Sequence, residues 1–182
     1  DMIIKSDTGT GKTTLFKNFI HESGSKFISV VSRRSLAVEQ YKDFLKIADD
    51  VYYYEHSRPR ENSGSMVITI DSLLKMQYWD LSEYYIFLDE FNSIIEYLIS
   101  SPTMSVRRSE IFNYLVYDVF LKAKGIVCVD ADISDTSLKF INYINQVRKL
   151  NDNTRQFEFI ENTFLHNKGV EAIEYFDTQK LI

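Results

Sequence analysis

The residues Ser6-Asp7-Thr8-Gly9-Thr10-Gly11-Lys12-Thr13-Thr14 indicate the type of fold more specifically than any other part of the chain. A short apolar run, residues 2–4, precedes it and predicts a β-strand. An amphipathic helix is predicted after it from the spacing of Leu15, Phe16, Phe19 and Ile20. A strand, a glycine-containing loop and a helix in this order are the setting that a phosphate-binding loop requires. The alternative is an ordinary Gly/Thr turn before a surface helix.

The residue types of this loop suit phosphate binding. Gly9 and Gly11 allow the backbone to turn with its N–H groups pointing inwards, and the helix N-terminus adds partial positive charge there. Lys12 is expected to reach the β- and γ-phosphates, and the Thr13 hydroxyl to bind Mg²⁺. Ser6 stands where the common pattern has its first glycine. The predicted nucleotide-binding residues are Thr8, Gly9, Thr10, Gly11, Lys12, Thr13 and Thr14.

The composition limits the classes of partner and compartment. The 182 residues carry a net charge of −5, so the surface as a whole does not attract nucleic acid, although a local basic patch can do so. The single cysteine, Cys128, lies in an apolar run and is expected to be buried, which favours a reducing, intracellular compartment, either cytoplasm or nucleus. No apolar run approaches the ~20 residues that span a bilayer, and no signal peptide opens the chain, so we expect no membrane partner. Asp1 comes directly before the first predicted strand, and we expect further residues upstream.

The rest of the chain alternates strand-like and helical patterns. This alternation predicts an α/β fold with a mainly parallel sheet and helices on both faces. The longer helices are predicted over residues 33–48, 91–100, about 105–123 and 134–148. After Leu150 the sequence becomes polar, and two strand-like runs follow at 157–160 and 170–176. We therefore divide the chain into a domain of residues 1–150 and an exit segment of residues 151–182, which is either a linker or the start of a second domain.

A pair of carboxylates, Asp89 and Glu90, ends the apolar run of residues 84–88. Ligands of open α/β sheets bind at the carboxyl edge of the strands, where this pair is expected to lie. Mg²⁺ on a triphosphate needs a carboxylate to fix it, and the attacking water needs a base beside the γ-phosphate. We assign the first role to Asp89 and the second to Glu90. The alternative is a carboxylate pair that caps the following helix.

Together, these motifs resemble the first RecA-like motor domain of a superfamily 2 DNA helicase, of the viral replication origin-binding protein type. The likeness covers residues 2–150. Residues 32–36, Ser-Arg-Arg-Ser-Leu, resemble motif Ia, and residues 69–73, Thr-Ile-Asp-Ser-Leu, resemble motif Ib. Residues 130–134 stand in the place of motif III, with Asp-Ala-Asp where Ser-Ala-Thr is usual. The resemblance implies DNA contacts by Arg33, Arg34, Thr69 and Ser72, and a coupling role for Asp130 and Asp132.

The resemblance further implies a helicase or translocase ATPase that acts in DNA replication. Its cofactors are ATP and Mg²⁺, and its partners are single-stranded or forked DNA and a second motor domain that supplies arginines to the ATP site. Residues 1–182 alone are then expected to hydrolyse ATP weakly. Two other classes stay open: a nucleotide-regulated scaffold without motor activity, and another P-loop ATPase such as a packaging or restriction translocase. Simpler explanations stay open: Arg33 and Arg34 as ordinary surface arginines, and Ser72 and Asp132 as helix caps.

Overall fold

In the part of the chain that the structure describes, seven parallel strands form one sheet, in the order β3-β4-β2-β5-β6-β1-β7. The computed structural model describes residues 1–56 and 63–163. The central strands are buried on both faces, which explains their nearly continuous apolar sequences. The strands are β1 Met2–Ser6, β2 Lys26–Val31, β3 Val51–Tyr53, β4 Ser65–Thr69, β5 Tyr84–Asp89, β6 Gly125–Asp130 and β7 Glu158–Asn162.

Helices cover both faces of this sheet. Right-handed crossovers place the first two helices on one face and the last three on the other. On the first face, the ring of Phe16 stacks on that of Phe87 at 4.3 Å between centroids and meets Phe44 edge-on. On the second face, Phe120 and Phe140 pack edge to face at 5.5 Å. The helices are α1 Lys12–Ser23, α2 Arg34–Phe44, α3 Phe91–Ser100, α4 Arg108–Tyr114 and α5 Asp135–Leu150.

Several predicted boundaries differ from the structure. The helix predicted over 33–48 ends at Phe44, where i→i+3 bonds tighten the chain. The helix predicted from about 105 begins at Arg108 and widens into a π-helical segment, Leu115–Phe120. Three 3₁₀ segments, Ile70–Met76, Leu81–Glu83 and Pro102–Met104, lie between the longer elements. Among the described residues, no helix is both long and apolar enough to cross a bilayer.

The segment after Leu150 contributes a strand to the same sheet. β7 pairs in parallel with β1, with Ile3 opposite Phe159, so the predicted run at 157–160 is confirmed as a strand and is shifted to Glu158–Asn162. The run predicted at 170–176 lies outside the described residues. The division of the chain at residue 150 stays a prediction.

The carboxyl ends of β1, β5 and β6 meet at one edge of the sheet. Lys5 pairs with Asp130, and Asp89 pairs with Val129, so the three strands end at the same level. The N-terminus of α1 begins directly after the loop that leaves β1. This arrangement brings residues that are far apart in the sequence into one cleft.

Candidate nucleotide-binding site

Residues 7–11 form a tight loop between β1 and α1, and residues 12–14 are the first turn of the helix. Gly9 has φ 78° and Gly11 has φ 85°, in the left-handed region that glycine adopts readily. A Cβ atom at Gly11 would lie 4.0 Å from the Cβ of Thr14, so its φ, rather than a lack of space, is what favours glycine here. The loop therefore has the backbone form that its sequence predicts, and Lys12 begins the helix.

Lys12 bonds back onto its own loop. Its Nζ donates to the carbonyl oxygens of Ser6 at 2.5 Å and Asp7 at 2.8 Å. Ser6, at the position of the usual glycine, is itself held by side-chain bonds: its Oγ lies 2.5 Å from Oγ1 of Thr10 and accepts a hydrogen bond from Asn162 at 3.0 Å. The serine thus ties the loop to β7. For Lys12 to bind phosphate, it must exchange these carbonyl acceptors for phosphate oxygens.

Thr13 and Asp89 lie side by side, as the magnesium prediction requires. Oγ1 of Thr13 donates to Oδ2 of Asp89 at 3.2 Å, and the amide of Glu90 donates to Oδ1 at 3.1 Å. Burial raises the pKa of the Asp89 carboxyl above its usual value, and these two hydrogen bonds oppose that shift. A hydroxyl and a carboxylate are hard oxygen donors of the kind that Mg²⁺ prefers, so the residues present fit this metal.

Gln40 also contacts Asp89, and no sequence motif indicates this contact. Nε2 of Gln40 donates to Oδ2 of Asp89 at 2.5 Å, and Oε1 accepts a hydrogen bond from the Ser29 hydroxyl. One feature of the sequence points to this residue: Gln40 is a polar residue on the apolar face of α2, on which Ala37 and Phe44 are the other buried positions.

Glu90, the predicted base, has a left-handed backbone with φ 54° and stands at the N-terminus of α3. Such a conformation costs free energy in a residue with a side chain, and it is found preferentially at functional sites. The carboxylate accepts a hydrogen bond from Arg33 at 2.8 Å, and this ion pair is exposed to solvent. Glu90 is therefore positioned by the strand end and held by one of the arginines predicted to contact DNA.

Asn92 connects this strand end to the segment after β6. Its backbone N–H donates to Oδ2 of Asp130 at 2.7 Å, so Asp130 caps the start of α3. Its side chain accepts from the amide of Ser134 at 3.1 Å and from the hydroxyl of Ser137 at 2.6 Å, and donates to the carbonyl of Asp132 at 2.7 Å. The carboxylate of Asp132 instead pairs with Lys5 at 3.3 Å. The two predicted coupling residues thus contact the Asp89-Glu90 strand end through Asn92.

The four residues predicted to contact DNA have different environments. Arg33 and Arg34 are exposed, and the hydrogen bonds that they donate to Glu90 and Glu55, respectively, raise the pKa of each guanidinium. Ser72 is half-buried. Thr69 is buried, and its hydroxyl donates to Asp71 at 2.5 Å, so this hydroxyl is not presented to solvent. Exposed cations at the rim of the cleft are compatible with an anionic partner.

The cleft that these residues line has a volume of about 620 Å³. Lys12 supplies positive charge at the loop, and Lys17, which lines the cleft from α1, is paired with Asp43 at 3.1 Å. Asp89, Glu90 and Asp130 supply carboxylates to the same cleft. Thr10 is the one predicted nucleotide-binding residue between Thr8 and Thr14 that does not line the cleft; its hydroxyl donates to the Asp7 carbonyl. The arrangement can hold an anion and a divalent metal next to a carboxylate able to accept a proton.

The comparisons with known proteins identify the fold. No protein-family model and no curated protein matches the sequence. A hypothetical ATP-dependent RNA helicase from Sulfolobus tokodaii is similar, with a TM-score of 0.60 at 20% identity over 89% of this chain and 48% of that one. The DUF1998 helicase MrfA bound to DNA gives a TM-score of 0.53 at 15% identity, over 89% of this chain and 25% of its own. Saccharomyces cerevisiae Dbp5 bound to RNA and ADP-BeF3 gives 0.54 at 15% identity, over 90% and 42%.

This likeness shows a shared fold. The all-parallel sheet with helices matches the RecA-like domains of these helicases, which confirms the predicted fold class. The chain spans about half or less of the length of the solved chains it matches. The assignment of individual site residues stays a prediction.

Proposed function

We propose that the chain is an ATP-binding motor domain of the helicase type, whose ATP turnover is stimulated by nucleic acid. The observation that carries the proposal is the assembly of Lys12, Thr13, Asp89 and Glu90 in one cleft at the carboxyl edge of the sheet. The names of two structural neighbours, an ATP-dependent RNA helicase and the helicase MrfA, support the same class. Because one fold hosts many functions, the site carries the argument and the fold supports it.

The proposed reaction is phosphoryl transfer from ATP to water. The loop amides and Lys12 bind and orient the phosphates, after Lys12 has left the carbonyls of Ser6 and Asp7. Thr13 and Asp89 would hold magnesium, which neutralises phosphate charge when bound. Glu90 orients the attacking water and accepts its proton, once its carboxylate is free of Arg33. The protein thus supplies position and electrostatics, and no covalent intermediate is needed.

The assignments of DNA contacts, of the parent protein and of a second motor domain rest on the resemblance to viral origin-binding helicases. We propose that Arg33, Arg34 and Ser72 contact the phosphates of single-stranded or forked DNA, and that the parent protein is a replication helicase of the viral origin-binding type. Both arginines are exposed, and Arg33 lines the cleft, which supports the first assignment. A second motor domain would supply arginines that stabilise the transition state, as P-loop motors require. Since some structural neighbours bind RNA and others DNA, the choice of nucleic acid is an outcome of the test.

The direct experiment measures steady-state ATP turnover by the full-length protein, alone and with single-stranded DNA or RNA. Lys12→Ala is expected to abolish turnover, because the phosphates lose their cation. Lys122→Ala, at an exposed position distant from the loop, is the matched control and is expected to retain it. Stimulation by either nucleic acid that disappears in Lys12→Ala supports the motor. Nucleotide binding without any stimulation would refute it and favour a nucleotide-regulated scaffold.

A further inference from the structure

Gln40 is a buried polar side chain next to the nucleotide cleft. It lies on the inner face of α2 with 3% of its surface exposed, between the buried Ala37 and Phe44. A buried amide needs partners within the protein, because water does not reach it. The partners of Gln40 lie on two neighbouring strands of the sheet.

Two hydrogen bonds connect this amide to β2 and β5. Ser29, which is fully buried on β2, donates its hydroxyl to Oε1 of Gln40. Nε2 of Gln40 donates to Oδ2 of Asp89 at the end of β5, at 2.5 Å. An ionised carboxylate only accepts hydrogen bonds, so the flipped amide would bring two oxygens into repulsive contact. The two partners therefore fix the orientation of the Gln40 amide.

We propose that Gln40 is a positioning residue for magnesium–nucleotide binding, which acts by holding the carboxylate of Asp89. The inference rests on the proposed function, in which Asp89 and Thr13 hold the metal. Three donors meet this carboxylate: Gln40 and Thr13 at Oδ2, and the amide of Glu90 at Oδ1. Together they fix the plane of the carboxylate.

The hydrogen bonds of Asp89 are compatible with metal binding. A hydroxyl that donates its single proton keeps two lone pairs, so Thr13 can hold Asp89 and still offer oxygen to a metal. In this orientation Gln40 turns its amide NH₂ group, which only donates, towards Asp89, and its oxygen faces the buried Ser29, so it presents no ligand atom to the metal. Its effect on the metal therefore passes through Asp89. Removal of such an outer partner typically weakens metal affinity or activity about 10–100-fold.

A merely structural role for Gln40 makes a different prediction. The bond to Ser29 also joins α2 to β2, and its loss alone would weaken the fold. Such a loss would lower nucleotide affinity to the same extent with and without magnesium. A positioning role instead lowers the part of the affinity that magnesium adds.

The test uses Gln40→Met, which keeps the length of the side chain and removes both hydrogen bonds. A fluorescent ATP analogue is titrated into the full-length protein, without nucleic acid, in excess Mg²⁺ and in EDTA. We expect affinity in EDTA within about twofold of wild type, and a roughly 10–100-fold smaller gain on adding Mg²⁺. Gln77→Met, an exposed glutamine-to-methionine change outside the cleft, is the matched control and is expected to keep the full gain.

Asp89→Asn provides the second arm. If Gln40 acts through Asp89, adding Gln40→Met to Asp89→Asn produces no further loss of the magnesium-dependent gain. An unchanged gain in Gln40→Met, or equal losses with and without Mg²⁺, would overturn the inference. If circular dichroism shows that Gln40→Met does not fold, Ser29→Ala replaces it. That variant frees the amide to rotate and is expected to reduce the gain about two- to tenfold, and an unchanged gain refutes the inference.

The two proposals fail in different ways in these titrations. A wild-type protein that binds no nucleotide in Mg²⁺ refutes the proposed function. A wild-type protein that binds normally, beside a Gln40→Met variant with the full magnesium gain, refutes only the role of Gln40.

Discussion

Replacing Asn92 with alanine removes the side chain that connects α3 to the segment after β6. Three hydrogen bonds are lost, with Ser134, Ser137 and Asp132, at 3.1, 2.6 and 2.7 Å. Each such bond contributes about 0.5–1.5 kcal/mol net. The bond to the Asp132 carbonyl is exposed, and water replaces it at small cost. We therefore expect the free energy of unfolding to fall by about 2 kcal/mol.

Urea denaturation followed by circular dichroism measures this loss. Asn113→Ala, at an exposed position on α4, is the matched control, because it reports the helix-propensity gain of an Asn-to-Ala change without the three bonds. With a slope of about 2 kcal/mol per molar urea, the midpoint of Asn92→Ala is expected about 1 M below that of the control. If the two variants unfold within about 0.5 kcal/mol of each other, the three contacts do not stabilise the protein as argued.

Three further predictions concern the ion pairs and the thiol. Arg33→Ala frees the Glu90 carboxylate, so ATP turnover without nucleic acid should rise about twofold. It also removes a cation from the rim of the cleft, so the stimulation of turnover by nucleic acid should fall. A lower basal turnover with stronger stimulation would contradict the pairing. Arg148→Met leaves the buried Asp1 carboxylate with Arg155 and the backbone amide of Ile126 as its remaining partners. It should lower the free energy of unfolding in urea by about 3 kcal/mol, and no change would contradict the burial of this pair. Burial raises the pKa of the Cys128 thiol and keeps reagents away from it. This thiol should therefore react with a disulfide reagent at pH 8 only when the protein unfolds. Rapid labelling of the folded protein would refute this prediction.

The sequence predicts those parts of the site whose signals are local. The loop at residues 6–14 combines glycines, a lysine and a hydroxyl between a strand and a helix, and the structure has that backbone. Asp89 and Glu90 follow a buried strand, and the parallel register brings them to the edge where the loop lies. Element types follow from periodicity for the same reason, since each pattern is set by residues close in sequence.

The missed features depend on how separate elements pack. Gln40 meets Asp89 only because α2 packs over β2 and β5, and no periodicity in α2 indicates its two partners. The burial of Thr69 and the pairing of Arg33 with Glu90 are likewise consequences of tertiary contacts. Strand β7 illustrates the same point, because the sequence predicts a strand there but does not indicate that its partner is the first strand of the chain.

We propose above that this cleft binds magnesium–nucleotide and that Glu90 activates the water. Glu90→Gln is therefore compared with wild type in equilibrium ATP binding and in single-turnover hydrolysis, in the full-length protein with nucleic acid present. We expect affinity within a few fold of wild type and hydrolysis slower by at least about 100-fold, because a glutamine cannot accept the proton. Hydrolysis by Glu90→Gln at close to the wild-type rate would contradict it.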